Sequence, residues 1–110
     1  MPPFTLEQLA SIIAARTGSG DPASYTAKLA GEGVGKCARK LGEEAVETMI
    51  AAMEGDRGQV TREAADLIYH LLVLLEVTGV SLEDVKTELA RRTGTSGLAE
   101  KAARGAGRTG

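Results

Sequence analysis

The segment that most constrains the fold is Asp66-Leu-Ile-Tyr-His-Leu-Leu-Val-Leu-Leu75, apolar at almost every position after its first residue. It is flanked by charge, with Glu63 and Asp66 before it and Glu76 after it. The run is too short to span a bilayer as a helix. A helix that is apolar nearly all round has to be covered on several sides. It is therefore the expected centrepiece of a bundle, a helix from about Gln59 to Thr78 that Gly79 caps.

The remaining punctuation fits helices. Thr5-Leu-Glu-Gln8 has the form of a capping box, and Leu6, Leu9, Ile12 and Ile13 follow at helical spacing to about Arg16. Gly18-Ser-Gly-Asp-Pro22 breaks the chain, and Ser24 to Ala30 suits a short helix. A long helix is predicted to begin near Glu32 to Val34 and to run to Glu54. Its core face reads as Val34, Cys37 or Ala38, Leu41, Ala45, Met49 and Ala52, and Val46, Ile50 and Met53 form a second apolar strip. Gly42 in its middle indicates either close approach by a neighbour or ligand, or a tolerated defect. Ser81-Leu-Glu-Asp84 starts a further helix that turns Leu82, Val85 and Leu89 inward to about Arg92. No strand pattern or internal repeat is visible. The reading is an all-α bundle of four or five helices in one domain over 1–104, with 105–110 a flexible tail and a last helical turn or two over 98–104.

Composition narrows the setting. Apolar residues make up 43% of the 110 positions but aromatics only 3%, and much of the apolar share is alanine. A core this thin calls for burial against a second copy. A net charge of −2 gives no bulk attraction to nucleic acid or to a membrane surface. Cys37 is the lone cysteine, so no intrachain disulfide forms, and the N-terminus lacks the basic-then-apolar form of a signal peptide. A cytoplasmic protein is expected.

The chemistry lies in the charges. On a helix over Val34–Glu54, residues three and four apart share a face, so Lys36, Lys40, Glu43, Glu44 and Glu47 form one stripe of two cations followed by three carboxylates. Glu63 and Asp66 repeat the three-residue carboxylate spacing at the head of the apolar helix. A single Glu-x-x-Glu is common on solvated faces. Two such pairs, one against an apolar helix, repel one another and lose hydration, and a hard divalent cation compensates both. All-oxygen ligands without a His–Cys set indicate Mg²⁺, with Mn²⁺ as a substitute. Lys36 and Lys40 suit an anion beside that cation. Gly31-Glu-Gly-Val-Gly35-Lys36-Cys37 is not a phosphate-binding loop: it lacks the length, the hydroxyl after the lysine and a preceding strand. His70 reads as a hydrogen-bonded core histidine, with a catalytic base as its alternative role, Cys37 as a small core residue and Tyr69 as packing, although Tyr25 and Tyr69 are also able to stack on a base.

Two stretches, Lys40-Leu-Gly-Glu-Glu-Ala-Val-Glu47 and Glu63-Ala-Ala-Asp-Leu-Ile-Tyr-His-Leu-Leu-Val-Leu-Leu75, closely resemble the phosphoribosyl-ATP pyrophosphatase family of histidine biosynthesis. The likeness extends to Ser24-Tyr-Thr-Ala-Lys-Leu29, Gly79-Val-Ser-Leu-Glu-Asp-Val85 and Ser96-Gly-Leu-Ala-Glu-Lys101, nearly the whole chain. The acidic pairs alone mark the broader all-α nucleoside triphosphate pyrophosphatase superfamily. The Ser-Tyr-Thr and Ser-Gly-Leu segments narrow it.

The resemblance implies a homodimer that hydrolyses phosphoribosyl-ATP to phosphoribosyl-AMP and pyrophosphate with Mg²⁺. It places metal ligands at Glu44, Glu47, Glu63 and Asp66. It makes Glu43 or Glu47 the group that handles the attacking water. Phosphate contacts fall at Lys36 and Lys40, and substrate borders at Ser24, Tyr25 and Lys28. It also implies that the cyclohydrolase of the next step, fused in many relatives, is a separate chain here. The alternatives are a house-cleaning nucleoside triphosphate pyrophosphatase of the same superfamily, or a non-catalytic helical dimerisation module with a solvated acidic stripe.

Overall fold

The structure, a computed structural model, describes residues 2–94. Five helices follow in order: α1 (Leu6–Thr17), α2 (Tyr25–Gly31), α3 (Val34–Glu54), α4 (Arg57–Thr78) and α5 (Leu82–Thr93), with no strand among the described residues. The fold is all-α, as the sequence predicts. The predicted turn over 98–104 and the tail from 105 lie outside the described residues. The chain divides into two units, one comprising Met1–Val80 with α1 to α4, the other beginning at Ser81 with α5.

Local chemistry sets the helix ends. Thr5 accepts from the Gln8 amide at 3.1 Å while the Gln8 side chain accepts from the Thr5 amide at 2.8 Å, a complete capping box. Ser24 and Asp56 cap α2 and α4 through the amides of Ala27 and Gln59. Gly55 and Gly79 end α3 and α4 in the left-handed region, at φ 75° and 74°, where a side chain is strained. Ser81 and Asp84 form a second capping box at the head of α5.

In the first unit, α3 and α4 pack as an antiparallel hairpin across the Gly55–Asp56 turn, and α1 and α2 pack against it. Ile13, Leu29, Cys37, Ala51, Leu72 and Val73 form the buried apolar core, with Thr26, Glu44 and His70 buried beside them. Cys37 is the core residue the sequence suggests, its thiol donating to the Leu29 carbonyl at 3.4 Å.

The phase of α3 differs from the sequence reading. Val34 and Met49 are 49% and 58% exposed, Ala38 and Ala52 are exposed, and Ala45 is only half-buried. The covered line is instead Cys37, Leu41, Glu44, Thr48 and Ala51, alternating steps of four and three, the seam of a packed helix pair. Glu44 and Thr48 sit within that seam and hide it from a hydrophobicity pattern. The second strip is not covered within the chain: Val46, Ile50 and Met53 are 48%, 51% and 88% exposed. A methyl added at Gly42 would meet nothing, so no intrachain neighbour requires that glycine. The centrepiece α4 buries His70, Leu72 and Val73 but leaves Ile68 and Leu71 exposed. Of the residues expected to face inward from α5, Leu82 and Val85 are half-buried and Leu89 is exposed, and no residue of the helix is fully buried. No single described helix is long and apolar enough to cross a membrane.

Candidate metal and nucleotide site

The antiparallel α3–α4 pair sets Glu44 of one helix opposite Glu63 and Asp66 of the other. One carboxylate oxygen from each lies within 4.8 Å of the other two. Glu44 is buried in the seam and its Oε2 has no hydrogen-bond partner. Glu63 accepts from the Gln59 side chain at 2.7 Å through Oε1, while its buried Oε2 is also unpartnered. None of the three carboxylates has a described cation within ion-pair distance. A buried carboxylate oxygen without a donor is costly, and three close together repel besides. Both penalties vanish if a hard cation is shared between them. The residues present fit a divalent ion with oxygen ligands.

Glu47, one turn beyond Glu44, lies against Glu63. The Glu63 carboxyl is pushed above its ordinary value of 4.5, first by burial, then by the hydrogen bond and negative charge of Glu47, with Asp66 adding to the rise and Gln59 opposing it. A proton between Glu47 and Glu63 thus relieves in part the repulsion that a metal would relieve fully. Both residues line an acidic cavity of about 370 Å³ together with Glu54, Asp56 and Gln59. Glu43 is not brought in. It is exposed and pairs with Lys40 at 3.7 Å.

The cations gather separately. Lys28, Lys36 and Lys40 line a cavity of about 240 Å³ with Tyr25, Leu29 and Glu32. Lys40 and Glu44 both act on the Tyr25 hydroxyl, which burial pushes up, Lys40 lowers and Glu44 raises. The Tyr25 hydroxyl thus feels the charge of both the lysine cavity and the carboxylate cluster. Ser24 is placed elsewhere: it caps α2 and borders a larger cavity of about 480 Å³ with Arg16, Asp21, Tyr25 and Tyr69.

His70 is the hydrogen-bonded core histidine of the sequence reading, 7% exposed. Its Nδ1 lies 2.8 Å from the Asp66 carbonyl oxygen, which can only accept, so Nδ1 carries the proton. Nε2 is then the acceptor for the Tyr25 hydroxyl at 3.4 Å. The imidazole joins α2 to the acidic turn of α4 and packs edge-on against Tyr69 at 5.0 Å.

Gln59, Glu32, Arg16 and Asp21 were not among the residues singled out from sequence. Gln59 had a signal, its four-residue spacing from Glu63 on one helix face. Arg16 and Asp21 had none, because only the folding of α1 onto α2 and α4 brings them to one cavity.

Comparison with known proteins identifies the family. The family described as phosphoribosyl-ATP pyrophosphohydrolase matches residues 6–93, a span containing every carboxylate and lysine above. Among curated relatives, the phosphoribosyl-ATP pyrophosphatase of Rhizorhabdus wittichii is 63% identical over 100 residues, 91% of this chain and 94% of its own. That of Nitrobacter winogradskyi is 60% identical over 101 residues, covering 92% and 87% of the two chains. That of Nitrobacter hamburgensis is 58% identical over 104 residues, covering 94% and 97%. Likeness at this level along nearly the full length of both partners extends well beyond the acidic pairs, and the chain belongs to the phosphoribosyl-ATP pyrophosphohydrolase family.

Proposed function

We propose that this chain hydrolyses the α–β phosphoanhydride of phosphoribosyl-ATP, giving phosphoribosyl-AMP and pyrophosphate in the second step of histidine biosynthesis. One observation carries the reading: the carboxylates of a chain matched over residues 6–93 converge with two buried oxygens unpartnered. Glu44, Glu63 and Asp66 would hold Mg²⁺, with Glu47 at the edge of the set and Mn²⁺ as a substitute. The bound ion supplies Lewis-acid neutralisation of phosphate charge.

The chain's own residues supply the rest. Lys28, Lys36 and Lys40 bind the oxygens of the triphosphate and offset charge that grows as the anhydride breaks. Tyr25, more than half exposed beside the lysines, borders the nucleoside, and Ser24 holds the turn that positions it. Glu47 takes the proton of the attacking water, because Glu43 is engaged by Lys40 and serves to orient that lysine. The protein acts as a cytoplasmic homodimer, supported by the apolar side chains that α3 and α4 leave uncovered.

The test is pyrophosphate release from phosphoribosyl-ATP, with and without Mg²⁺, by wild type and Glu47→Gln. Metal-dependent release that falls roughly 10²- to 10⁴-fold in the variant is expected. Release only from free nucleoside triphosphates would move the activity to the house-cleaning branch. Full activity of Glu47→Gln would remove Glu47 from the mechanism.

A further inference from the structure

The mechanism above uses only Ser24 and Tyr25 from the lining of a cavity of about 480 Å³ between the end of α1, the α1–α2 connection and α4. Arg16 stands on one wall, and its guanidinium has no ion-pair partner among the described residues. Asp21 lies in the connection. Its Oδ1 accepts from the Ala23 amide at 2.9 Å, and Oδ2 has no partner among the described residues. The Ser24 oxygen accepts from the Ala27 amide, which leaves its O–H free to donate. The rings of Tyr25 and Tyr69 stand 6.4 Å apart at 27°, and Thr26 bonds the Tyr69 hydroxyl.

The position of Tyr25 turns this cavity into part of a longer site, because the same ring also lines the lysine cavity. A ligand running past it would meet three lysines at one end, an aromatic face in the middle, and one arginine with one carboxylate at the other. A carboxylate beside a guanidinium does not suit a second polyphosphate, which Asp21 would repel. It suits a group that is anionic at one end and a diol at the other.

We propose that the Arg16–Asp21 cavity receives the ribose 5-phosphate that distinguishes phosphoribosyl-ATP from ATP, Arg16 binding its phosphate and Asp21 accepting from the ribose hydroxyls. This rests on the reaction proposed above. Arg16 and Asp21 then select the substrate without touching the bond that breaks, and their loss weakens binding and not the chemical step.

Two measurements test it. In steady-state kinetics, Arg16→Met raises KM for phosphoribosyl-ATP roughly ten- to hundredfold, the value of one charge-assisted hydrogen bond, with kcat unchanged. The Ki of ATP as a competitive inhibitor does not move, and Arg16→Lys restores most of the lost affinity. An unchanged KM in Arg16→Met, or an equal loss for phosphoribosyl-ATP and ATP, overturns the assignment. The second measurement is calorimetric titration with free ribose 5-phosphate, which binds the wild type and not Arg16→Met. If the wild type releases no pyrophosphate from phosphoribosyl-ATP, the proposed reaction fails by itself. Ribose 5-phosphate binding that Arg16→Met abolishes would then still place a sugar phosphate here, and equal binding by both proteins would refute it. Arg16 is an exposed residue of the last turn of α1, so the variant retains its helices, which circular dichroism verifies.

Discussion

Glu44 illustrates how a functional carboxylate is held against its own stability. It occupies a seam position where an apolar residue would pack, and its buried Oε2 has no donor among the described residues. An amide there keeps the shape and removes the charge. Glu44→Gln is therefore expected to raise the melting temperature of the metal-free protein while abolishing the rise that Mg²⁺ produces in the wild type. At a hundredfold excess of ion over its dissociation constant that rise reflects about 2.7 kcal/mol. Melting curves in chelator and in Mg²⁺ read both effects, and a variant that Mg²⁺ still stabilises would remove Glu44 from the metal set. Glu63 adds a pH dependence of definite sign. Its folded carboxyl titrates above the ordinary 4.5 because burial and Glu47 favour the protonated form. Between its unfolded and folded values the native state holds more protons than the unfolded one, so this group's contribution to stability falls as pH rises through that window. A metal must displace the same proton, so apparent Mg²⁺ affinity rises with pH over the same interval. Titrations of Mg²⁺ at a series of pH values check it, and a flat profile would sink the coupling.

At the scale of the elements, caps and breakers made helix boundaries legible. The α3 helix begins at Val34, within the predicted Glu32 to Val34, and ends at Glu54, and Thr5, Ser81 and Gly79 cap where the sequence places them. The acidic pairs were legible too, because three-residue spacing is fixed by the helix itself. What escaped was the rotation of α3, since Glu44 and Thr48 replace apolar residues in its buried line. The Arg16–Asp21 cavity escaped for a different reason: it depends on three helices meeting, which no local pattern encodes. The head of α3 gives a sharp test of backbone logic. Gly33 caps it at φ 97°, ψ 172°, a region only glycine occupies readily, whereas Gly35 lies inside the helix with open space around its Cα. Gly33→Ala is expected to cost about 1–3 kcal/mol from conformation alone. Gly35→Ala stabilises by up to about 1 kcal/mol. Denaturant unfolding of the two variants should move in opposite directions, and a stable Gly33→Ala would contradict the cap geometry.

The whole molecule leaves a particular surface uncovered. Val46, Met49, Ile50 and Met53 of α3 are 48%, 58%, 51% and 88% exposed, and Gly42 heads the same line at helical spacing. Ile68 and Leu71 of α4 are exposed as well. In the hairpin, the opposite side of α3 carries Cys37, Glu44 and Ala51 into the core, so these outer residues have no partner within their own unit. Scattered single apolar residues need no explanation, but a line of four on one helix does. Covering one such side chain contributes about 1.5–3 kcal/mol, and a symmetric contact counts each twice. The thin aromatic content gives the isolated chain little other burial to draw on. The homodimer proposed above would close this surface on a second copy of the same chain. Sedimentation equilibrium is expected to give a dimer for the wild type at micromolar concentration. Ile50→Asp, which sets a charge in the middle of the line, shifts the mass toward monomer and lowers the melting temperature, which in the dimeric wild type falls with dilution. Val34→Asp, on an exposed residue outside that line, serves as the control and leaves the dimer intact. A wild type that sediments as a monomer, with Ile50→Asp unchanged in mass and melting, would show that this apolar line is simply solvated.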